Sequence, residues 1–222
     1  GVMAISYSMD KAGPMCRSVE DCALVFNAIQ GPDDQDPAVV DLPFNWDPDL
    51  DVNQLRVGYI QSAFQADRDS AQAKANGEAT LETLRRLGLN LIPVEFPNYP
   101  VDVHRLLLYA EATAAFDELN RTRRDTLLRR PNWSQRFRMA RTIPAVEYIQ
   151  ADRHRILLMK EMNQLLSRVD MVVVPPSEPG TPANSPLGRN TPLTNLTGHP
   201  CVVVPNGFIE DGTPSAMTFV GK

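Results

Sequence analysis

The run from Leu55 to Val94 constrains this chain more than any other. Leu55-Arg56-Val57-Gly58-Tyr59-Ile60 is short, apolar and rich in β-favouring residues, and it reads as a strand. Residues 69–87 place Leu81, Leu84 and Leu87 on one helical stripe and stop at Gly88. Leu89-Asn90-Leu91-Ile92-Pro93-Val94 reads as a second strand. A strand–helix–strand unit of this kind implies a crossover between parallel neighbours, so an α/β sheet is expected. Asp170-Met171-Val172-Val173-Val174-Pro175 is a wholly apolar run after a helical pattern, which suits a buried parallel strand.

The remaining elements follow from caps and periodicity. Ser18 reads as an N-cap, with Glu20 and Asp21 in the first turn, and Val19, Cys22, Ala23, Phe26 and Ile29 recur at helical spacing up to Gly31. Residues 31–53 are rich in Pro and Asp, including Asp33, Asp34, Asp36, Asp47, Asp49 and Asp51, but lack the spacing of a calcium loop and read as a solvated connection. Residues 101–129 read as one helix, broken by Pro131. Another helix is expected from near Pro144 to about Ser167. Arg121, Arg123, Arg124, Arg129, Arg130, Arg136, Arg138 and Arg141 crowd this region, interleaved with Asp117, Glu118 and Asp125, and read as a solvated face. A Pro-rich loop spans Pro175–Pro192, and Cys201–Pro205 and Ala216–Val220 read as an antiparallel hairpin.

Composition narrows the partners. The 222 residues are 43% hydrophobic and 22% charged, with a net charge of −5. That balance offers nothing to a phosphate backbone, so no nucleic-acid partner is expected. No apolar run approaches the roughly 20 residues of a membrane span, so no membrane partner is expected either. Cys16, Cys22 and Cys201 are sparse and odd in number, which points to buried free thiols in a reducing, cytoplasmic compartment. The G-x-S-x-G elbow, H-E-x-x-H, the phosphate-binding P-loop and G-x-G-x-x-G are all missing, and no metal or cofactor is expected. His104, His154 and His199 are far apart, and nothing marks them as members of a Ser–His–Asp set.

Four segments, in order, resemble the amidase-signature family. Ser8-Met9-Asp10-Lys11-Ala12-Gly13-Pro14-Met15-Cys16-Arg17-Ser18-Val19-Glu20-Asp21 resembles the family's S-L-D-x-x-G-P-x-x-R-T-V-x-D stretch, which follows the nucleophile region. Asp170–Pro175 is similar to its D-x-hydrophobic-x-x-P strand. Asn195-Leu196-Thr197-Gly198-His199-Pro200-Cys201 through Pro205-Asn206-Gly207 resembles N-x-x-G-x-P-A-x-x-x-P-x-G. Gly212-Thr213-Pro214 through Phe219-Val220-Gly221 is similar to the strand that follows.

The resemblance implies an α/β/α sandwich on a mixed, partly parallel sheet. It implies amide-bond hydrolysis by a Ser–cis-Ser–Lys triad with a Gly-Gly-Ser oxyanion loop. This chain contains no Gly-Gly-Ser. The expectation is therefore a single domain over 1–222, the C-terminal portion of an amidase, truncated at both ends and without the triad. Its implied partners are the missing N-terminal half of the same polypeptide and a small amide substrate. A non-catalytic binding module derived from an amidase is the alternative. By resemblance, Asp10 and Arg17 support the nucleophile loop through buried or half-buried hydrogen bonds. Asn195, Thr197 and Gly198 lie on a turn near the substrate pocket, a turn that Gly198 and Pro200 also suit as a tight strand connection. Leu187-Gly188-Arg189-Asn190 lacks the acidic residue expected there in the glutaminase subunit of tRNA-dependent amidotransferases, which favours a stand-alone amidase.

Overall fold

A computed structural model describes residues 3–35, 39–68, 70–177, 182–183 and 185–222, apart from the side chain of Pro131. Gly1, Val2, Asp36 and much of the Pro-rich loop lie outside the described residues. Helix α1 (Val19–Ile29) starts where expected, with the Ser18 side chain accepting from the Asp21 N–H. Next come β1 (Arg56–Ile60), the short α2 (Gln61–Gln65), α3 (Ala71–Arg86) and β2 (Asn90–Val94). Ser70 caps α3 by accepting from the Ala73 N–H at 2.9 Å. Three helices follow, α4 (Val103–Ala115), α5 (Asp117–Arg121) and α6 (Pro131–Ala140), and then the long α7 (Ala145–Arg168). The chain finishes with β3 (Met171–Val174), α8 (Asn190–Thr197), β4 (Cys201–Phe208) and β5 (Pro214–Gly221).

The sheet order is β2-β1-β3-β5-β4. β1 pairs parallel with β2 and with β3, while β5 pairs antiparallel with β3 and β4. The sheet is thus mixed and partly parallel, as expected. Alternation along the strands divides the core into two faces. Ile60, Val172, Val174 and Val220 pack with Leu158, Met162 and Leu166 of α7, Leu107 of α4 and Leu193 of α8. Val57, Val173, Met217 and Phe219 pack with Leu81 and Leu84 of α3 on the other face. Helices therefore cover both faces. Leu87, expected on the α3 stripe, is 58% exposed, because it caps the helix rather than continuing it.

Two contacts set the register at the centre. A Cβ on Gly58 would meet Val94 Cγ2 at 2.9 Å and Val169 at 3.4 Å, so any larger residue there forces Val94 to shift. Asp170 accepts from the Arg56 N–H at 2.8 Å and pairs with its guanidinium at 2.8 Å, tying the start of β3 to β1. Hydrogen bonds from the Arg56 side chain and backbone pull the Asp170 carboxyl down to about 2.

The expected helix over 101–129 is broken. It stops at Ala115, resumes as α5, and Arg123 enters the left-handed region at φ 57 before a 3₁₀ turn at Arg124–Leu127. The cause is long-range: fully buried Asp125 accepts from Ser134 Oγ at 2.5 Å and pairs with Arg138 at 2.9 Å, which folds the segment back onto α6. Pro131 starts α6 rather than ending a helix, since its missing N–H is one that no helix needs in its first turn. The arginines otherwise behave as an exposed, acid-laced face. Asp117 takes both Arg121 and Arg141, and Arg136 lies 5.4 Å from the ring centroids of Tyr109 and Trp133.

The cysteines also differ from expectation: Cys16 and Cys201 are exposed and Cys22 is half-buried. Cys201 opens the edge strand β4, and Cys16 lies in the irregular stretch before α1, so neither has a layer over it. Among the described residues, no helix is long and apolar enough to cross a membrane, and no cluster of His, Cys, Asp and Glu could hold a metal ion.

Candidate functional site

The strongest polar construction among the described residues is the seat of the loop Ile5–Lys11. Asp10 closes this loop on itself: its Oδ2 accepts from the Ile5 N–H at 2.6 Å and the Ser6 N–H at 3.0 Å. Buried Met9 then pins the loop into the apolar face beneath α7 and α8.

Glu111 of α4 receives the loop from below. It is only 5% exposed. Its carboxylate accepts from Ser6 Oγ at 2.5 Å, Ser8 Oγ at 2.7 Å, the Ser8 N–H at 3.2 Å and Tyr148 Oη at 3.1 Å. Four donors on one buried carboxylate offset the cost of removing it from water. The Tyr148 phenol also meets Tyr7 Oη at 3.1 Å, and burial followed by that contact pushes it well above the usual phenol value, so it stays a donor.

Arg155 of α7 holds the same loop from a second helix. Its Nη1 donates to Ser8 Oγ at 2.8 Å, its Nη2 to the Ser8 carbonyl at 2.8 Å and its Nε to the Leu196 carbonyl at 2.6 Å. One guanidinium therefore joins the loop to the last turn of α8. Lys11 makes the same connection more loosely, with Nζ at 3.4 Å from both the Asn195 carbonyl and its side-chain oxygen. Partial burial, and then the charge of Arg155, lowers the Lys11 ammonium below its usual value.

Chemically this is a latch rather than a nucleophile. Ser8 Oγ donates to a carboxylate, an arrangement that could activate a hydroxyl, but the same oxygen accepts from Arg155, which withdraws electron density from it. Among the described residues, no histidine supplies a base to these serines. His104 Nδ1 bonds the Val101 carbonyl at 2.8 Å and His199 Nδ1 meets Thr197 Oγ1 at 2.7 Å; burial lowers both imidazoles.

The structure brings together most of the residues singled out from sequence. Asp10 shapes the loop, and Asn195 receives Lys11. Asn195 and Thr197 do not sit on a turn, however. They belong to α8, where Thr197 Oγ1 donates to the Leu193 carbonyl at 2.9 Å, and Gly198, at φ 80, is the left-handed residue that ends the helix. Arg17 stands apart: it is exposed, and among the described residues no hydrogen bond or ion pair joins it to the loop. Asp10 is exposed as well, against the expected burial, because its carboxylate bonds its own backbone rather than a neighbouring element. Glu111, Tyr148 and Arg155 were not anticipated. The signal for Glu111 was present: it is the lone acid in the apolar run Leu106–Ala115.

A family model described as Amidase matches residues 1–222. A glutamyl-tRNA(Gln) amidotransferase subunit of Roseiflexus castenholzii is 29% identical over 100% of this chain and 52% of its own length. An amidase of Pseudomonas putida is 28% identical over 97% of this chain and 50% of its own length. The chain thus spans about half the length of the curated relatives it matches. Among solved structures, the peptide amidase of Stenotrophomonas maltophilia is 26% identical, with a TM-score of 0.77 over 100% of this chain and 52% of that one.

Proposed function

Because the chain belongs to the amidase-signature family, we propose that it is the C-terminal part of an enzyme that hydrolyses carboxylic amide bonds, folded as one domain over residues 1–222. The nucleophilic serine, the bridging serine and the activating lysine are supplied by polypeptide outside this chain. What carries the reading is the latch: the segment that corresponds to the family's post-nucleophile stretch is held by buried Glu111 and by the fork of Arg155. A loop fixed from two helices is the kind of support that preorganises a neighbouring nucleophile loop.

Asp10 and Arg17 act in that support, Asp10 by shaping the latch and Arg17 by meeting groups outside this chain. Asn195, Thr197 and Gly198 line the vicinity of the substrate pocket, which Lys11 and Arg155 bring close to the latch. The missing N-terminal portion covers surfaces that are apolar and open. Leu24 and Ile29 of α1 are 63% and 57% exposed, and Val203 and Phe208 on edge strand β4 are 56% and 65% exposed. The substrate is a small amide handled by a stand-alone amidase, since Gly188 and Arg189 stand where the glutaminase of a tRNA-dependent amidotransferase is expected to carry an acid.

The test is amide turnover by the 222-residue chain alone and by the polypeptide extended upstream. Turnover confined to the extended protein is expected; equal turnover by the chain alone overturns the proposal.

A further inference from the structure

The basic charge of this chain is gathered in one place. Residues 121–141 hold eight arginines against one acid, a net of +7, in a chain whose formal charge is −5. Exposed charges more than about 8–10 Å apart are screened at physiological salt, so this local sign is what a partner meets here. Part of the excess is used inside the molecule. Arg121 and Arg141 share Asp117, Arg138 pairs with Asp125, and Arg136 covers the rings of Tyr109 and Trp133. Arg123, Arg124, Arg129 and Arg130 remain. All four are exposed, and no side-chain hydrogen bond or ion pair joins them to another described residue.

These four flank an outward leucine. Leu127, at the end of the 3₁₀ turn Arg124–Leu127, is 79% exposed. The turn is held in place: buried Asp125 bonds Ser134 and Arg138 of α6, and Arg123 takes left-handed backbone at φ 57. An aliphatic side chain with two arginines on either side in sequence therefore stands on a fixed frame. A soluble polyanion meets the arginines but leaves Leu127 in water. Single-stranded nucleic acid is held through open aromatic faces, whereas Tyr109 and Trp133 are half-buried, edge to face with each other and covered by Arg136. A bilayer with acidic headgroups offers phosphates to the arginines and an acyl layer to the leucine at once.

We infer that the turn from Arg123 to Arg130 docks on the surface of a membrane containing anionic phospholipid, with its guanidinium groups among the headgroups and Leu127 inserted beyond them. Docking of this kind needs no spanning helix, so the missing span that argued against a membrane partner does not bear on it. The inference does not rest on the hydrolase reading.

Co-sedimentation of the polypeptide that carries this chain with lipid vesicles tests the inference. Binding is expected to vesicles of phosphatidylglycerol and phosphatidylcholine in equal parts and not to phosphatidylcholine alone, with release as salt rises from about 0.1 M to about 0.5 M. Arg129→Gln combined with Arg130→Gln is expected to weaken binding about 25-fold, about fivefold for each charge removed. Leu127→Ser is expected to weaken it about tenfold at unchanged charge. Both variants change exposed side chains only, so the fold is kept and the vesicles read the surface. No binding to the mixed vesicles, equal binding to phosphatidylcholine alone, or undiminished binding by Leu127→Ser overturns the inference; the last assigns the turn to a soluble polyanion such as RNA or an acidic protein.

Discussion

Glu111 and Arg155 share one serine: Ser8 Oγ donates to Glu111 Oε1 at 2.7 Å and accepts from Arg155 Nη1 at 2.8 Å. No direct ion pair joins the two charged groups among the described residues, so the coupling between α4 and α7 runs through the loop they hold. Removing either group therefore disturbs the loop first and the helix packing second.

Glu111→Ala leaves Ser6, Ser8 and Tyr148 without their shared acceptor in a buried site. A loss of about 3 kcal/mol in unfolding free energy is expected, with about half of that for Glu111→Gln, which keeps the shape and one acceptor oxygen. Chemical denaturation of the two variants checks the order and the size.

Arg155→Lys tests geometry rather than charge. Lysine cannot reproduce three directed donors from a planar fork, so it should behave much like Arg155→Met. In the extended polypeptide, kcat for amide hydrolysis is expected to fall about 10- to 100-fold in both variants, with KM changed less. Full rescue by lysine would show that charge alone matters.

Most strands were legible because their signal is local. β1, β2, β3 and the β4–β5 hairpin each announce themselves in their own residues, and the Gly58 contact merely confirms how close β1 lies to Val94. The break within 101–129 was not legible, because its cause is a bond from Asp125 to Ser134 and Arg138 that no periodicity records. α8 was hidden for a similar reason. Pro192 and Gly198 punctuate its sequence, yet one sits in the first turn and the other just past the end, where a helix tolerates them. Asp10 and Asn195 came from the family's motifs. Arg155 could not be told from Arg153, its neighbour on the same helix, until the loop was seen against it.

Acid should reveal the tie between β1 and β3. The folded carboxyl of Asp170 sits at about 2, below its unfolded value, so the bond to Arg56 contributes fully above pH 4 and fades as pH falls from about 4 to 2. Asp170→Asn is expected to lower the melting temperature at neutral pH and to flatten its decline across that window. A decline of unchanged steepness would show that Asp170 is not responsible.

Gly58→Ala pushes a methyl group to within 2.9 Å of Val94 Cγ2 in the parallel part of the sheet. A cost of about 1–3 kcal/mol is expected. The double variant Gly58→Ala, Val94→Ala should recover part of it, measured as a positive coupling in a double-mutant cycle.

The central claim is that the latch supports a nucleophile that this chain does not contain. Labelling with a fluorophosphonate serine probe tests it most directly, on the 222-residue chain alone and on the polypeptide extended upstream. The account predicts a single labelled serine in the extended protein, outside residues 1–222, and none in the chain alone. Labelling of Ser8, or of any one serine within these residues, would contradict it.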